Sequence, residues 1–144
     1  ATALRENRAS NGHGRRESFH CRPIPRMSNL YIAPGSDDPR KILKSLQAGI
    51  LVTRMGGGQV NTATGEFVFE VDEGYWVEEG VVRHMVRDAN LLGVGPVILR
   101  SIDRVGWDIG WGIGTCGKDG QGVPVGDGQP TIRIPKILIG GRHE

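Results

Sequence analysis

ILVTRMGGGQVNTATGEFVFEVDEGYWVEEGVVRHMV, running from Ile50 to Val86, decides the fold class. β-Branched and aromatic residues alternate with polar ones through it, and the alternation breaks at Gly56 to Gly58, at Thr62 to Gly65 and at Glu78 to Gly80. A period of two marks a strand with one face buried, and short breaks containing glycine mark turns, so the stretch predicts an antiparallel meander. Within it Phe67 and Phe69 point to one side while Glu66, Val68 and Glu70 point to the other.

Upstream of the meander, DDPRKILKSLQAG carries two acidic residues and Pro39 at its start, apolar Ile42, Leu43 and Leu46 at helical spacing, and Gly49 at its end. That pattern predicts a helix. Further upstream, PIPRMSNLYIAPG is extended, because each proline removes an amide donor and biases its predecessor away from the helical region; it places an edge strand at Asn29 to Ile32. Downstream, GPVILRSIDRVG returns to helical spacing, with Pro96 in the first turn and Val97, Ile98, Ile102 and Val105 as its apolar stripe. The terminal QPTIRIPKILIGG gives one or two strands separated at Pro135. The expected fold is α+β: predominantly antiparallel β-sheet, meander or barrel-like, with about two helices. Residues 1–22 are polar and aperiodic and read as an N-terminal arm, the remnant of a truncated upstream region, while residues 23–144 form the domain.

Composition narrows the function classes. The 144 residues are enough for one core without disulfide or metal support. No apolar run approaches the roughly 20 residues that span a bilayer, and the first residues lack the apolar centre of a signal peptide, so a soluble, cytoplasmic protein with no membrane partner is expected. Eighteen basic against sixteen acidic residues leave a net charge of +2, which gives no reason to expect direct nucleic-acid binding. Arg5, Arg8, Arg15, Arg16, Arg22 and Arg26 gather early without interleaved aromatics, the pattern of a basic arm facing solvent or a partner. Cys21 and Cys116 belong to no CxxC pair, and His13, His20, His84 and His143 show no HxxxH spacing, so no complete zinc site can be written from the sequence.

The glycine-rich stretch GIGTCGKDGQGVPVGDGQP, Gly112 to Pro130, invites two nucleotide readings and supports neither. A phosphate-binding loop needs a helix after it and a hydroxyl after the lysine, but Asp119 follows Lys118, and Gly120, Gly122 and Pro124 break any helix. A dinucleotide fingerprint fails on the same missing helix. Two readings stay open: a loop crossing the core with Cys116 as a small buried hydrophobe, or a reactive thiol beside Lys118, nucleophile or soft metal ligand.

Several runs of consecutive residues together carry a resemblance: RRES at Arg15 to Ser18, PIPRMSNLYIAPG from Pro23, GGGQV at Gly56 to Val60, TGEFVF at Thr64 to Phe69, VGWD at Val105 to Asp108 and CGKDGQGVPVGDGQPT from Cys116. From about Gly14 to Gly141 the chain resembles the C-terminal domain of the TldD/PmbA family, zinc metallopeptidases also described as modulators of DNA gyrase. The resemblance implies the TldD-like branch, with Cys116 as a zinc ligand completing a site whose two histidines lie in an HExxxH helix. No HExxxH occurs in these 144 residues. In the family that helix lies upstream, so the chain is expected to be a C-terminal fragment, inactive alone, that supplies one metal ligand and part of a cleft for flexible or unfolded peptides.

The resemblance also implies a homodimer, or a heterodimer with a PmbA-like subunit, in the full-length protein. Gly56, Gly57, Gly58 and Gln59, together with Gly117, Lys118, Asp119, Gly120 and Gln121, are the expected peptide-backbone contacts; for the first four a bulge or tight turn is the plain alternative. Asp108 is either a group behind the metal ligands or a structural one, and the structural role, capping backbone amides in a turn, is the one expected. A non-catalytic scaffold or regulatory module, acting by gyrase-modulator-type partner binding, is the alternative function.

Overall fold

The computed structural model describes residues 5–141, so His143 and the first four residues of the arm lie outside the described residues. In chain order the elements are β1 (Gly14–Arg15), β2 (Ile24–Pro25), β3 (Leu30–Tyr31), α1 (Pro39–Lys44), β4 (Ala48–Val60), β5 (Glu66–Glu78), β6 (Val81–Val86), β7 (Asn90–Val94), α2 (Gly95–Ser101), β8 (Arg104–Val105), β9 (Gly110–Lys118), β10 (Gln121–Gln129), β11 (Ile132–Arg133) and β12 (Leu138–Gly140). The chain divides into two compact units. One comprises the described residues up to Ala33 together with Ile109–Gln129; the other comprises Pro34–Asp108 and the residues from Pro130 onward.

The larger unit is the expected meander. Its sheet runs β12-β7-β5-β4 with β6 also paired to β5, every pairing antiparallel. Along the first half of β5 exposure alternates residue by residue, with Glu66, Val68 and Glu70 outward and Phe67, Phe69 and Val71 inward, as the period-two pattern requires. Val77, with no exposed surface, sits on β5 opposite Gly49 and Val82. Among the described residues no sheet closes into a barrel.

The turn between β5 and β6 is Glu79-Gly80, both with positive φ of 52° and 72°, the backbone twist that suits a two-residue hairpin. Their amides also decide where α1 stops. The helix begins as the sequence predicts, with the Asp38 carboxylate accepting from the Arg40 N–H at 2.9 Å and Pro39 in the first turn, and it buries Ile42. It ends at Lys44 rather than running toward Gly49, because the carbonyls of Leu46 and Gln47 accept from the N–H groups of Gly80 and Glu79, and Ala48 already begins β4.

The second predicted helix is shorter than its sequence stripe. α2 ends at Ser101, Ile102 turns extended, and Val105 lies in β8 opposite Ile132 of β11. Over its seven residues Gly95, Ile98 and Ser101 are partly buried, while Val97 and Leu99 are exposed. Asp108 does cap: its carboxylate accepts from the Thr131 backbone N–H at 3.0 Å and from the Thr131 hydroxyl at 2.6 Å. No helix among the described residues is long and apolar enough to cross a membrane.

The smaller unit overturns the loop expected for the glycine-rich stretch. β9 and β10 form an antiparallel hairpin in continuous register from Lys118↔Gln121 to Gly110↔Gln129, and β3 adds in parallel on the far side of β10. Asp119 and Gly120 make its two-residue turn with φ of 50° and 71°. Glycines therefore serve strands here. They remove side chains along β9 and supply the one residue of the turn that pays least for positive φ.

Candidate functional site

Cys116 sits near the turn end of β9, directly opposite Val123, which is 2% exposed. Residues paired across an antiparallel ladder share a face, so Cys116 lies on the face of Val123, with Lys118 and the largely buried Gln121 next along it. Gly112 and Gly114 continue that face away from the turn without side chains. The thiol is half-buried and unoxidised, neither a core hydrophobe nor a loop residue.

The segment from Arg15 to Met27 straps this hairpin with polar contacts. Arg15 donates to the carbonyls of Met27 at 2.7 Å and Pro124 at 2.8 Å. The Glu17 N–H donates to Gln121 Oε1 at 3.1 Å, while the Glu17 carboxylate accepts from the Gly122 N–H at 3.0 Å. Gln121 Nε2 donates to the Arg22 carbonyl at 3.1 Å, and Lys118 Nζ to the Pro25 carbonyl at 3.2 Å. Lys118 is thus tied to the strap, and Asp119 faces the turn, which leaves no cradle for a phosphate. The strand that runs from Gly112 to Lys118 is followed by another strand, not a helix.

Arg26 was expected in a basic arm facing solvent or a partner; the structure instead buries it within the chain, 4% exposed. Its Nη2 donates to the Cys116 carbonyl and to the Gln121 carbonyl, the latter at 3.0 Å, so one guanidinium nitrogen ties together the two strands at the turn end of the hairpin. Its Nε and Nη1 are buried with no hydrogen-bond partner, and it joins no salt bridge among the described residues. The Cys116 thiol is held below its ordinary range, first by the Met27 backbone N–H and then by the Arg26 guanidinium, with the Lys118 charge adding to them against the opposing effect of desolvation.

The remaining expected contacts separate by unit. Gly117, Lys118, Asp119, Gly120 and Gln121 share the hairpin with Cys116, whereas Gly56, Gly57, Gly58 and Gln59 lie on β4 in the larger unit. There the ladder bulges: three steps of β4 from Met55 to Gly58 face two steps of β5 from Val71 to Phe69. A Cβ on Gly58 would stand 2.1 Å from a Phe69 ring carbon, and one on Gly56 would stand 2.4 Å from the Asp72 carboxylate, so β5 side chains already use that space. Among the described residues no group of three or more His, Cys, Asp or Glu side chains could hold a metal ion.

Sequence reading missed two parts of the site. The hairpin was signalled by Asp119-Gly120 flanked by extended residues, a strong turn pair. Arg26 was not signalled at all, since nothing in PIPRM distinguishes a buried arginine from an exposed one.

Residues 1–141 match the model of the PmbA/TldA metallopeptidase C-terminal domain. A metalloprotease TldD homolog of Buchnera aphidicola (subsp. Schizaphis graminum) is 42% identical over 137 residues, which is 94% of this chain and 28% of that protein. A zinc metalloprotease TldD homolog of Saccharolobus solfataricus is 30% identical over 130 residues, 90% of this chain and 29% of that protein. Among solved structures, a Thermotoga maritima protein described as a candidate modulator of a DNA gyrase superposes with a TM-score of 0.70 at 27% identity, covering 96% of this chain and 28% of that one. TldE from Thermococcus kodakarensis shares the fold, with a TM-score of 0.69 at 18% identity. The chain thus spans a little over a quarter of the length of the relatives it matches.

Proposed function

The chain belongs to the PmbA/TldA metallopeptidase C-terminal domain family, and from that membership we propose that it is the C-terminal part of a TldD-like zinc metallopeptidase that cleaves flexible or unfolded peptides. The observation that carries the reading is Cys116: a half-buried thiol on a hairpin, held toward the thiolate by Met27 and Arg26. A thiolate is a soft donor of the kind zinc takes, so the residues present fit the metal as one ligand of a set. The other ligands belong to a part of the polypeptide outside these 144 residues, where an HExxxH helix is the expected source. Zinc, when bound, polarises a peptide carbonyl and lowers the pKa of its water.

What this chain's residues do is narrower. The hairpin register fixes which way the Cys116 side chain projects. The strap from Arg15 to Met27 holds that register. On the β9 side of the Cys116 face Gly112 and Gly114 carry no side chain, the Asp127 carboxylate and Val125 reach over them from β10, and Gly117 to Gln121 form the near edge. Gly56, Gly57, Gly58 and Gln59 are retained as peptide contacts of the larger unit. A self-paired assembly or one with a PmbA-like subunit and a cytoplasmic setting complete the proposal.

The test is zinc content and peptide hydrolysis of the full-length protein with and without Cys116→Ser. Loss of stoichiometric zinc and of hydrolysis is expected. Full zinc and full hydrolysis in the variant would sink the ligand assignment. A second reading, a non-catalytic partner-binding module, is supported by the likeness to the Thermotoga maritima protein; it requires that the full-length protein show no zinc-dependent hydrolysis at all.

A further inference from the structure

We propose that Arg26 is the positioning residue for Cys116: a buried guanidinium that locks the hairpin backbone at Cys116 and keeps the N–H groups of Nε and Nη1 in reserve. Three observations carry this. One nitrogen, Nη2, bridges the Cys116 and Gln121 carbonyls across the two strands, so the backbone that aims the sulfur is fixed from a single point. The side chain is 4% exposed, yet Nε and Nη1 find no acceptor, an arrangement that is costly unless a further acceptor is supplied. No carboxylate among the described residues pairs with it, although Glu17 lies on the same strap and spends its carboxylate on the Gly122 N–H instead.

A merely structural clamp does not need a guanidinium. Two carbonyls can be bridged by a neutral amide or by water at less desolvation cost than a buried cation. A cation with donors in reserve suits a neighbour that gains negative charge and retains lone pairs, as a thiolate bound to a metal does. Hydrogen bonds to ligand atoms orient a metal ligand and tune its donor strength, and their loss weakens metal binding by about 10- to 100-fold. The inference rests on the zinc-ligand reading of Cys116, and the experiment separates the two.

In the full-length protein, Arg26→Met, Arg26→Gln, Arg26→Lys and Cys116→Ser are prepared with cobalt in place of zinc. The near-ultraviolet thiolate-to-cobalt absorption, zinc affinity by chelator competition, and far-ultraviolet circular dichroism are recorded for each. The expected result is that Cys116→Ser abolishes the thiolate band, and that folded Arg26→Met weakens zinc about tenfold or more while shifting or weakening the band. Arg26→Lys, which keeps the charge without the fork, is expected to recover part of the affinity, and Arg26→Gln, which keeps one amide donor without the charge, less. A folded Arg26→Met with zinc affinity within about twofold of the parent and an unshifted band overturns the Arg26 role and leaves the Cys116 assignment standing. If Arg26→Met does not fold, Arg26→Gln and Arg26→Lys decide by the same criterion. A thiolate band that survives in Cys116→Ser overturns both assignments.

Discussion

Asp108 shows how one carboxylate closes a turn and what acid does to it. Burial alone would raise its pKa; the Thr131 hydroxyl and the backbone N–H groups of Thr131 and Asp108 together outweigh that and hold the carboxyl below the usual range. With the folded value depressed, the stabilisation is complete above the unfolded value of about 4 and is lost as pH falls through the lower folded value. Asp108→Ala is expected to cost about 1–3 kcal/mol at neutral pH, the range for leaving the Thr131 donors without their acceptor. Urea unfolding at neutral pH and again below about pH 4 checks it, and the gap between parent and variant should narrow on acidification. The capping role was the favoured of two readings in the sequence, because carboxylates in turns commonly cap backbone amides, and the contacts to Thr131 bear it out. Arg26 was not, since burial of a cation depends on a strap and a hairpin meeting at residues some 90 positions apart.

The two hairpin turns share backbone geometry but not surroundings, and this separates two contributions that usually arrive together. Gly80 and Gly120 have φ of 72° and 71°, so an alanine at either carries the same conformational penalty, on the order of 1 kcal/mol. At Gly120 a Cβ meets nothing within 4 Å, whereas at Gly80 it would stand 2.7 Å from the Lys44 Cα and carbonyl oxygen. Gly80→Ala is therefore expected to destabilise by at least about 2 kcal/mol and Gly120→Ala by about 1 kcal/mol, read as the shift in thermal midpoint. Equal shifts would show that backbone clash with the end of α1 contributes nothing. In the core, Val77→Ala removes two fully buried methyl groups opposite Gly49 and Val82, at an expected cost of about 2–3 kcal/mol by chemical denaturation. The meander was readable because period-two patterning is a property of one strand at a time. The ends of α1 and α2 were not, because partners far along the chain set them: Glu79 and Gly80 compete for the carbonyls after α1, and β11 claims Val105.

The described residues leave apolar surface exposed, of the kind that drives association in water. Ile113 is 97% exposed, with Trp111 and Tyr31 beside it in the smaller unit, and Val68 and Leu138 are exposed on the sheet of the larger one. The purified chain is expected to elute ahead of a 15.6 kDa monomer, with the shift diminishing on dilution. A monomeric elution volume at all concentrations would count against association through these residues. Peptidase activity of these 144 residues with added zinc is expected to be nil, since among the described residues no group of three or more His, Cys, Asp or Glu side chains could hold a metal ion; measurable hydrolysis would contradict that ligand count.

The Asp119-Gly120 turn constrains more than shape. Because successive side chains of a strand face opposite ways, adding one residue between Cys116 and Asp119 would put the sulfur on the other side of the sheet while leaving every letter of the motif in place. Substitutions in this segment can be graded by what they remove, but insertions and deletions cannot. The number of residues from Cys116 to Gln121 is itself inherited information, and natural variants that change spelling here are expected to keep the count.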